Sequence, residues 1–393
     1  MTTRRLFATG IARGGTSLVG RMVDAHPRCA IAIDAYLHIF RALRNSIVLA
    51  QEPDFDPTRP MEDFYFDAAQ RRRLDILMDG SIDVAFSGAD PTMLRDAIRR
   101  RASDESGDLA PFVDAIDGKT PRELIDSAFA QIERARPAEG LAVVGVKDLW
   151  IADLFPALAH GYPDARFLLI IRDPRDVVAS ALGFLSIDPS QVGHVLSMLR
   201  HWRKVVALAI HYSAHSDFAG RFAAVRYEDV VRQPEVEMHR ICALLGVEWD
   251  PATISVADFK DYNSGGSWRG NSTFEPALDR ISRSPVGRWR GKVAPPVVAL
   301  VELVCGAEMR ACGYVTEAPT VHEADILDFL RVDGSRTVSW RSDTGTPEAN
   351  IALERARKAA IDGSASVDIP SNFLFPQAYE RLRHGMPLFG VAA

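Results

Sequence analysis

A chain of 393 residues that is 47% hydrophobic and 25% charged has the composition of an ordinary globular protein and the length to bury a sizeable core. Its net charge of −6 argues against a general nucleic-acid or membrane surface, so any anion site must be built from local cations. Cys29, Cys242, Cys305 and Cys312 are too few and too scattered for a disulfide framework and show no C-x-x-C spacing, so they read as buried thiols in a reducing compartment. No apolar run approaches the roughly 18 residues of a membrane span, and the first strand pattern begins within a few residues of Met1, too soon for a signal peptide. The expectation is a cytoplasmic protein with no membrane span and no nucleic-acid partner.

The apolar run 6–8 predicts a strand, and Gly10, Arg13, Gly14, Gly15, Thr16 and Ser17 then come close to the phosphate-binding pattern G-x-x-x-x-G-K-[ST]. Gly10, Gly15 and Ser17 fit, whereas Thr16 stands at the lysine position. Glycines that free the backbone amides, a helix starting near Thr16 and the Arg13 cation predict a bound anion, with a γ-phosphate disfavoured. A ligand-free strand-to-helix turn is the plainer alternative. A second strand is expected at 29–33, leading to Asp34. Residues 51–140 are first Pro-rich, then helical, with helix starts at Asp90 and Pro91 and at a capping box formed by Thr120, Pro121 and Glu123. The arginine triplets 71–73 and 99–101 read as solvated helix faces.

Sheet patterning returns at 141–146, just before Lys147, and at 167–171, a continuous apolar run typical of a strand buried on both faces. Arg172 follows. Asp173 suits an N-cap, Pro174 the first helical position and Asp176 an acidic first turn. Ser180 lies about two turns into that helix, so it and Arg172 reach one anion only if the ligand lies across the helix start. Ion pairing of Arg172 and Arg175 with Asp173 and Asp176 is the plainer alternative. His201, Trp202, His211 and His215 fall on a helix pattern and read as packing and surface residues. A strand at 222–225 leads to Tyr227. Residues 263–292 form a long basic loop carrying Arg280, Arg283, Arg288, Arg290 and Lys292, and long loops of this kind are often lids. Past 319 a strand pair (326–330 and 337–340), a helix over 347–361 and a mixed tail are expected.

Strands alternating with helices imply an α/β fold: a three-layer P-loop architecture with a central parallel sheet flanked by helices. The expected organisation is a domain over 1–318, a helical insertion over 51–140 and a C-terminal extension over 319–393. In such sheets ligands sit beyond the carboxyl ends of the strands. Gly10, Asp34, Lys147, Arg172 and Tyr227 each follow an apolar strand, which brings them to one edge.

Together these segments resemble the cytosolic and bacterial sulfotransferases that use 3′-phosphoadenosine 5′-phosphosulfate (PAPS). The first loop matches the family pattern [KR]-S-G-T-[TS] as Arg13, Gly14, Gly15, Thr16 and Ser17, with Gly14 in the usual serine position. The run from Arg172 through Asp173, Pro174, Arg175 and Asp176 to Ser180 matches R-D-P-[RK]-D-x-x-x-S throughout. Tyr227-Glu228-Asp229, Gly145 with Lys147, and the segment Gly287, Arg288, Trp289, Arg290, Lys292 match further motifs. The resemblance spans about residues 5 to 316 and is weaker over 40–140. It implies that Arg13 and the loop hold the 5′-phosphosulfate, that Arg172 and Ser180 hold the 3′-phosphate with Arg288 and Arg290 closing over it, and that Tyr227 meets the adenine.

Sulfuryl transfer needs cations at the sulfuryl and bridging oxygens and a base for the acceptor proton. Lys147 matches the family lysine at the leaving oxygen; a surface lysine paired with Asp148 is its plainer reading. The Lys-Thr-His run of many members is here Lys147-Asp148-Leu149. Bacterial and glycan-directed relatives instead carry a glutamate seven residues past the proline of a His-Pro pair, and seven past Pro27 stands Asp34. Asp34 is therefore the expected base, with Asp148 and His38 in reserve; its alternative is to cap a helix over 35–43. No metal is required, and no His/Cys/Asp cluster has metal-ligand spacing. The expected activity is transfer from PAPS to a hydroxyl, or less often an amine, of a small-molecule, lipid or glycan acceptor, with the 51–140 insertion over the acceptor cleft. The competitors are a P-loop kinase, which needs the missing loop lysine and a Mg²⁺-holding carboxylate, and a non-catalytic nucleotide-binding protein. Acceptor identity, oligomeric state and the role of 319–393 stay open.

Overall fold

The computed structural model describes residues 3–59, 61, 68–185, 195–268, 270, 279–334, 345–366 and 368–389. Five parallel strands form one sheet: β1 (Arg4–Gly10), β2 (Cys29–Ile33), β3 (Val143–Lys147), β4 (Arg166–Ile171) and β5 (Phe222–Arg226), in the order β2-β3-β1-β4-β5. The chain leaves β1 toward one side of the sheet, returns, and then builds the other, so the crevice beyond the end of β1 lies between oppositely wound halves. That switch point is where parallel sheets bind ligands. The register pairs Lys147 with Ala8 on one side and with Ile33 on the other. Asp34, the next residue after Ile33, therefore emerges beside Lys147.

The described residues divide into two compact units. The first comprises residues 1–59, 73–171 and 215–283, and the second residues 60–72, 172–214 and 284–393. In the first unit α1 (Thr16–Asp24) and α2 (Leu37–Leu49) follow the first two strands. The insertion contains α3 (Ala68–Met78), α4 (Pro91–Glu105), a 3₁₀ run over Gly107–Ala115 and α5 (Pro121–Ala135). The Asp90 side chain accepts from the amides of Thr92 and Met93, as its place before Pro91 predicts. Thr120 accepts from the Glu123 amide, while Glu123 reaches back to the Lys119 amide, one residue beyond the usual capping-box partner.

Phe7 on β1 anchors the core of this unit. Its ring stacks on Phe167 and Tyr162 at 5.7 and 5.9 Å and meets Phe129 of α5 at 5.6 Å. Burying one such side chain contributes about 1.5–3 kcal/mol. The short helix α6 (Phe155–Gly161) precedes β4, and α9 (Tyr227–Arg232) follows directly on β5 and leads into α10 (Pro234–Leu245).

After β4 the chain passes into the second unit. Asp173 Oδ1 accepts from the Arg175 amide at 2.9 Å and starts α7 (Pro174–Leu185), as predicted. Then come α8 (Val195–Ala214), α11 (Pro295–Ala311), α12 (Glu323–Gly334), α13 (Pro347–Ile361), α14 (Ile369–Phe373) and α15 (Pro376–Arg383). The strand expected at 326–330 is a correction: those residues are helical, and the buried pair is Ile326 and Leu330, four apart on one helix face. Its expected partner at 337–340 lies outside the described residues. The helix over 347–361 is present, capped by Thr346 at the Ala349 amide. All four cysteines are buried and none forms a disulfide. Among the described residues no helix is long and apolar enough to cross a membrane.

Candidate functional site

In the first unit the loop after β1 reaches α1 through two residues in the left-handed region, Arg13 (φ 65°) and Gly15 (φ 81°). Glycine is needed at Gly15 for a second reason, since a Cβ there would run into the Tyr227 ring. A Cβ on Gly10 would lie 2.6 Å from the Ile170 carbonyl oxygen, and one on Gly14 2.8 Å from that of Ile11. No side chain caps α1, which begins at Thr16 with no acidic residue in its first turn. Its leading amides and helix dipole thus suit an anion beside the loop residues Arg13, Gly14, Gly15, Thr16 and Ser17.

Beside this loop stands a buried ionic cluster. Lys147 Nζ donates to Asp34 Oδ2 and, at 3.3 Å, to Ser17 Oγ. Lys147 is the last residue of β3 rather than the first beyond it, and it is wholly buried, so it is not a surface lysine. Asp34 does not cap α2, which starts three residues later with Tyr36 at its N-cap. Instead it sits in the left-handed region (φ 53°), a conformation that costs a non-glycine residue about 1–3 kcal/mol and concentrates at functional sites. Its amide donates to the Lys147 carbonyl at 2.7 Å. Among the described residues Asp34 Oδ1 accepts no hydrogen bond; the Arg101 guanidinium stands 3.9 Å away.

The two reserve bases differ. Asp148 is fully buried, with Oδ2 accepting from the Tyr36 amide at 3.1 Å and Oδ1 without a hydrogen bond among the described residues. Burial, and then the Asp34 charge, push its carboxyl up to about 8, against the pull of Arg101 and Lys147. The burial favours its neutral form. His38 is driven down to about 4 by burial and by Arg41, Arg101 and Arg100, so it stays neutral.

Arg101 is the residue that sequence reasoning missed. Read as part of a solvated triplet, it donates from Nε to the Asp34 carbonyl at 2.8 Å. Its neighbour Arg99 pairs with Asp96 and Asp114, and Arg73 approaches Glu52 at 3.6 Å, so neither triplet is simply solvated. Tyr227, expected against an adenine, is buried with its ring over Gly15.

In the second unit Arg172 and Ser180 are both largely buried. Arg172 Nη2 donates to the Pro285 carbonyl at 2.8 Å, and its own carbonyl accepts from Trp202 Nε1 at 2.8 Å. The plainer ion pairing holds for Arg175, which bonds Asp173 and Glu302, but Asp176 accepts instead from the amides of Gly287 and Trp289 at 2.7 and 2.9 Å. That contact fixes the segment carrying the late basic residues. Within it Arg288 is half-buried, whereas Arg290 is exposed and bonds Glu317 at 2.9 Å. A pocket of about 270 Å³ in this unit, edged by Arg310, Lys358 and Asp362, contains none of the expected site residues. Among the described residues no group of three or more His, Cys, Asp or Glu could hold a metal ion.

The sulfotransferase family model matches residues 5–251. Carbohydrate sulfotransferase 5 of Mus musculus is 24% identical over 210 residues, covering 49% of this chain and 52% of that protein. Protein-tyrosine sulfotransferase 1 of Danio rerio is 25% identical over 185 residues, covering 44% of this chain and 49% of that protein. The chain spans about half the length of these curated relatives. Among solved structures, the sulfotransferase domain from the curacin biosynthetic pathway is similar with a TM-score of 0.44 and 14% identity, covering 78% of this chain and 97% of that one.

Proposed function

The chain belongs to the sulfotransferase family, and we propose that it transfers the sulfuryl group of PAPS to a hydroxyl of a glycan, lipid or small-molecule acceptor by in-line displacement. The observation that carries this reading is the buried Lys147, held between Ser17 of the anion loop and Asp34 at the carboxyl edge of the sheet. The relatives named above are carbohydrate and protein-tyrosine sulfotransferases, and both of those acceptors offer a hydroxyl.

In this reading Arg13 and the amides from Gly14 to Ser17 take the 5′-phosphosulfate. PAPS supplies an activated sulfuryl group whose leaving oxygen belongs to the 5′-phosphate. An ammonium has three donors, and Lys147 uses two on Asp34 and Ser17, which leaves one for that oxygen as its bond to sulfur breaks. Asp34 Oδ1 receives the acceptor proton as the new S–O bond forms. Arg101 holds the Asp34 backbone while this happens. We assign the 3′-phosphate to Arg172, Ser180 and Arg288; Arg290 joins them on leaving Glu317. Tyr227 serves the adenine side of the loop. Asp148, buried and pushed toward its neutral form, limits the negative charge beside Asp34.

Thr16 at the lysine position of the loop weighs against a P-loop kinase. The test is transfer of label from ³⁵S-PAPS to a panel of glycans, phenols and lipid alcohols. Labelled ester that disappears with Lys147→Ala supports the proposal. Phosphoryl transfer from ATP by the same chain, with no sulfuryl transfer to any hydroxyl, would contradict it.

A further inference from the structure

Residues 323–389 lie beyond the 5–251 matched by the family, and sulfuryl transfer as described gives them no role. Their strongest feature is a set of buried ion pairs within the second unit. On α8, Arg200 donates from Nε and Nη2 to Glu354 Oε1 of α13 at 3.1 and 3.0 Å, and from Nη2 to Asn350 Oδ1 at 2.8 Å. Arg203 Nη1 bonds the other Glu354 oxygen and the Val304 carbonyl. One turn along α13, Arg357 pairs with Glu308 of α11 and donates from Nε to the Asn372 carbonyl at 2.7 Å. The Glu354 and Arg203 side chains are 1% and 2% exposed, so these charges have exchanged water for one another. Such a network tolerates few geometries.

Between the two arginines of α8 lies Trp202. At about 100° per residue it points away from Arg200 by roughly 200°, so α13 grips the helix from one side while the indole works on another. That indole is buried and donates from Nε1 to the Arg172 carbonyl. Arg172 lies two residues ahead of α7, outside the helical hydrogen-bond ladder, and a buried carbonyl of this kind needs a hydrogen-bond partner from elsewhere. Trp202 supplies it. At the other end of Arg172, Pro285 accepts from the guanidinium, and Asp176 holds Gly287 and Trp289. The arginine is thus fixed at its backbone by the indole and at its tip by the 284–293 segment.

We infer that Trp202 is a positioning residue for Arg172, clamped from behind by Glu354, so that the C-terminal extension tunes recognition of the 3′-phosphate of the nucleotide. The inference rests on the proposed role of Arg172. No chemistry passes through Trp202 or Glu354; they set where a cation stands.

The experiment is isothermal titration of the full chain with adenosine 3′,5′-bisphosphate and with AMP, which lacks the 3′-phosphate. The ratio of the two dissociation constants reads the 3′-phosphate contact and cancels effects common to both ligands. Trp202→Phe keeps most of the ring and removes the donor. The expected result is a ratio reduced by roughly three- to tenfold with AMP affinity unchanged, the loss of about one hydrogen bond's worth of positioning. Glu354→Gln keeps the shape of the clamp and weakens it, and is expected to lower the ratio in the same sense, which covers the case of a Trp202 variant that folds poorly. An unchanged ratio in both variants, or equal weakening of both ligands, would overturn the inference and leave Trp202 as packing. A wild-type ratio near one would sink the nucleotide assignment itself, and the inference with it.

Discussion

Asp34 and Glu354 are both buried carboxylates gripped by cations, and they differ in how completely they are satisfied. Glu354 sits inside a packed helix group with both oxygens engaged by Arg200 and Arg203. Burial acts to raise its carboxyl, but Arg203, Arg200 and Arg357 outweigh it and hold the group below its ordinary range. Asp34 has one oxygen on Lys147, the other without a hydrogen bond among the described residues, and a backbone in the left-handed region. A fully satisfied carboxylate serves architecture; one with a spare lone pair at the ends of parallel strands, on a strained backbone, serves chemistry. Burial and charge alone do not tell them apart.

Substitution of each carboxylate should break this contrast in opposite ways. Asp34→Asn is expected to lower turnover of labelled PAPS by about 10²–10⁴ while affinity for adenosine 3′,5′-bisphosphate stays within a few-fold, because the amide keeps the shape and loses the base. Glu354→Ala should act instead on stability, costing about 3–5 kcal/mol in a denaturant titration by stranding two buried guanidiniums. Large stability loss at Asp34 with activity retained would reverse the assignment of the two sites.

The anion loop offers a smaller, sharper probe. Gly15→Ala places a methyl against the Tyr227 ring at a φ of 81°, and should cost about 1–3 kcal/mol of nucleotide binding, measured calorimetrically. Normal binding in this variant would mean that the loop adopts another conformation with nucleotide.

A further expected effect is one of pH. The folded Asp148 carboxyl lies at about 8, above the ordinary carboxylate range it has when unfolded. The folded state therefore holds a proton that the unfolded state has lost, and this contribution to stability is full below about 4 and fades as pH rises through 8. The groups that face it are Asp34, Arg101, Lys147 and the Tyr36 amide. Thermal unfolding across pH 4 to 9 should show wild-type stability falling more steeply than that of Asp148→Asn. Parallel curves would mean that Asp148 is ionised in the folded protein.

The sheet was legible because its strands are short apolar runs bounded by loop residues, and the register then forced Asp34 and Lys147 together. Segment 326–330 was misread because five residues with four apolar positions fit a period of 2 and of 3.6 alike. Arg101 was missed because its partner lies 67 residues away, across a fold that local charge patterns do not encode. The extension was opaque for the same reason. Arg200, Arg203, Glu354 and Arg357 have the spacing of solvated helix faces, and only packing turns them inward.

The proposed function stands or falls on whether the anion loop, with threonine where a kinase has lysine, and Arg172 serve a 3′-phosphorylated adenine nucleotide. Thermal unfolding with adenosine 3′,5′-bisphosphate, beside ADP with Mg²⁺, tests it most directly. A ligand at about a hundred times its Kd stabilises by roughly 2.7 kcal/mol. The account predicts that shift for the bisphosphate and its loss in Arg172→Ala. An equal or larger shift with ADP and Mg²⁺, or a bisphosphate shift indifferent to Arg172, would contradict it.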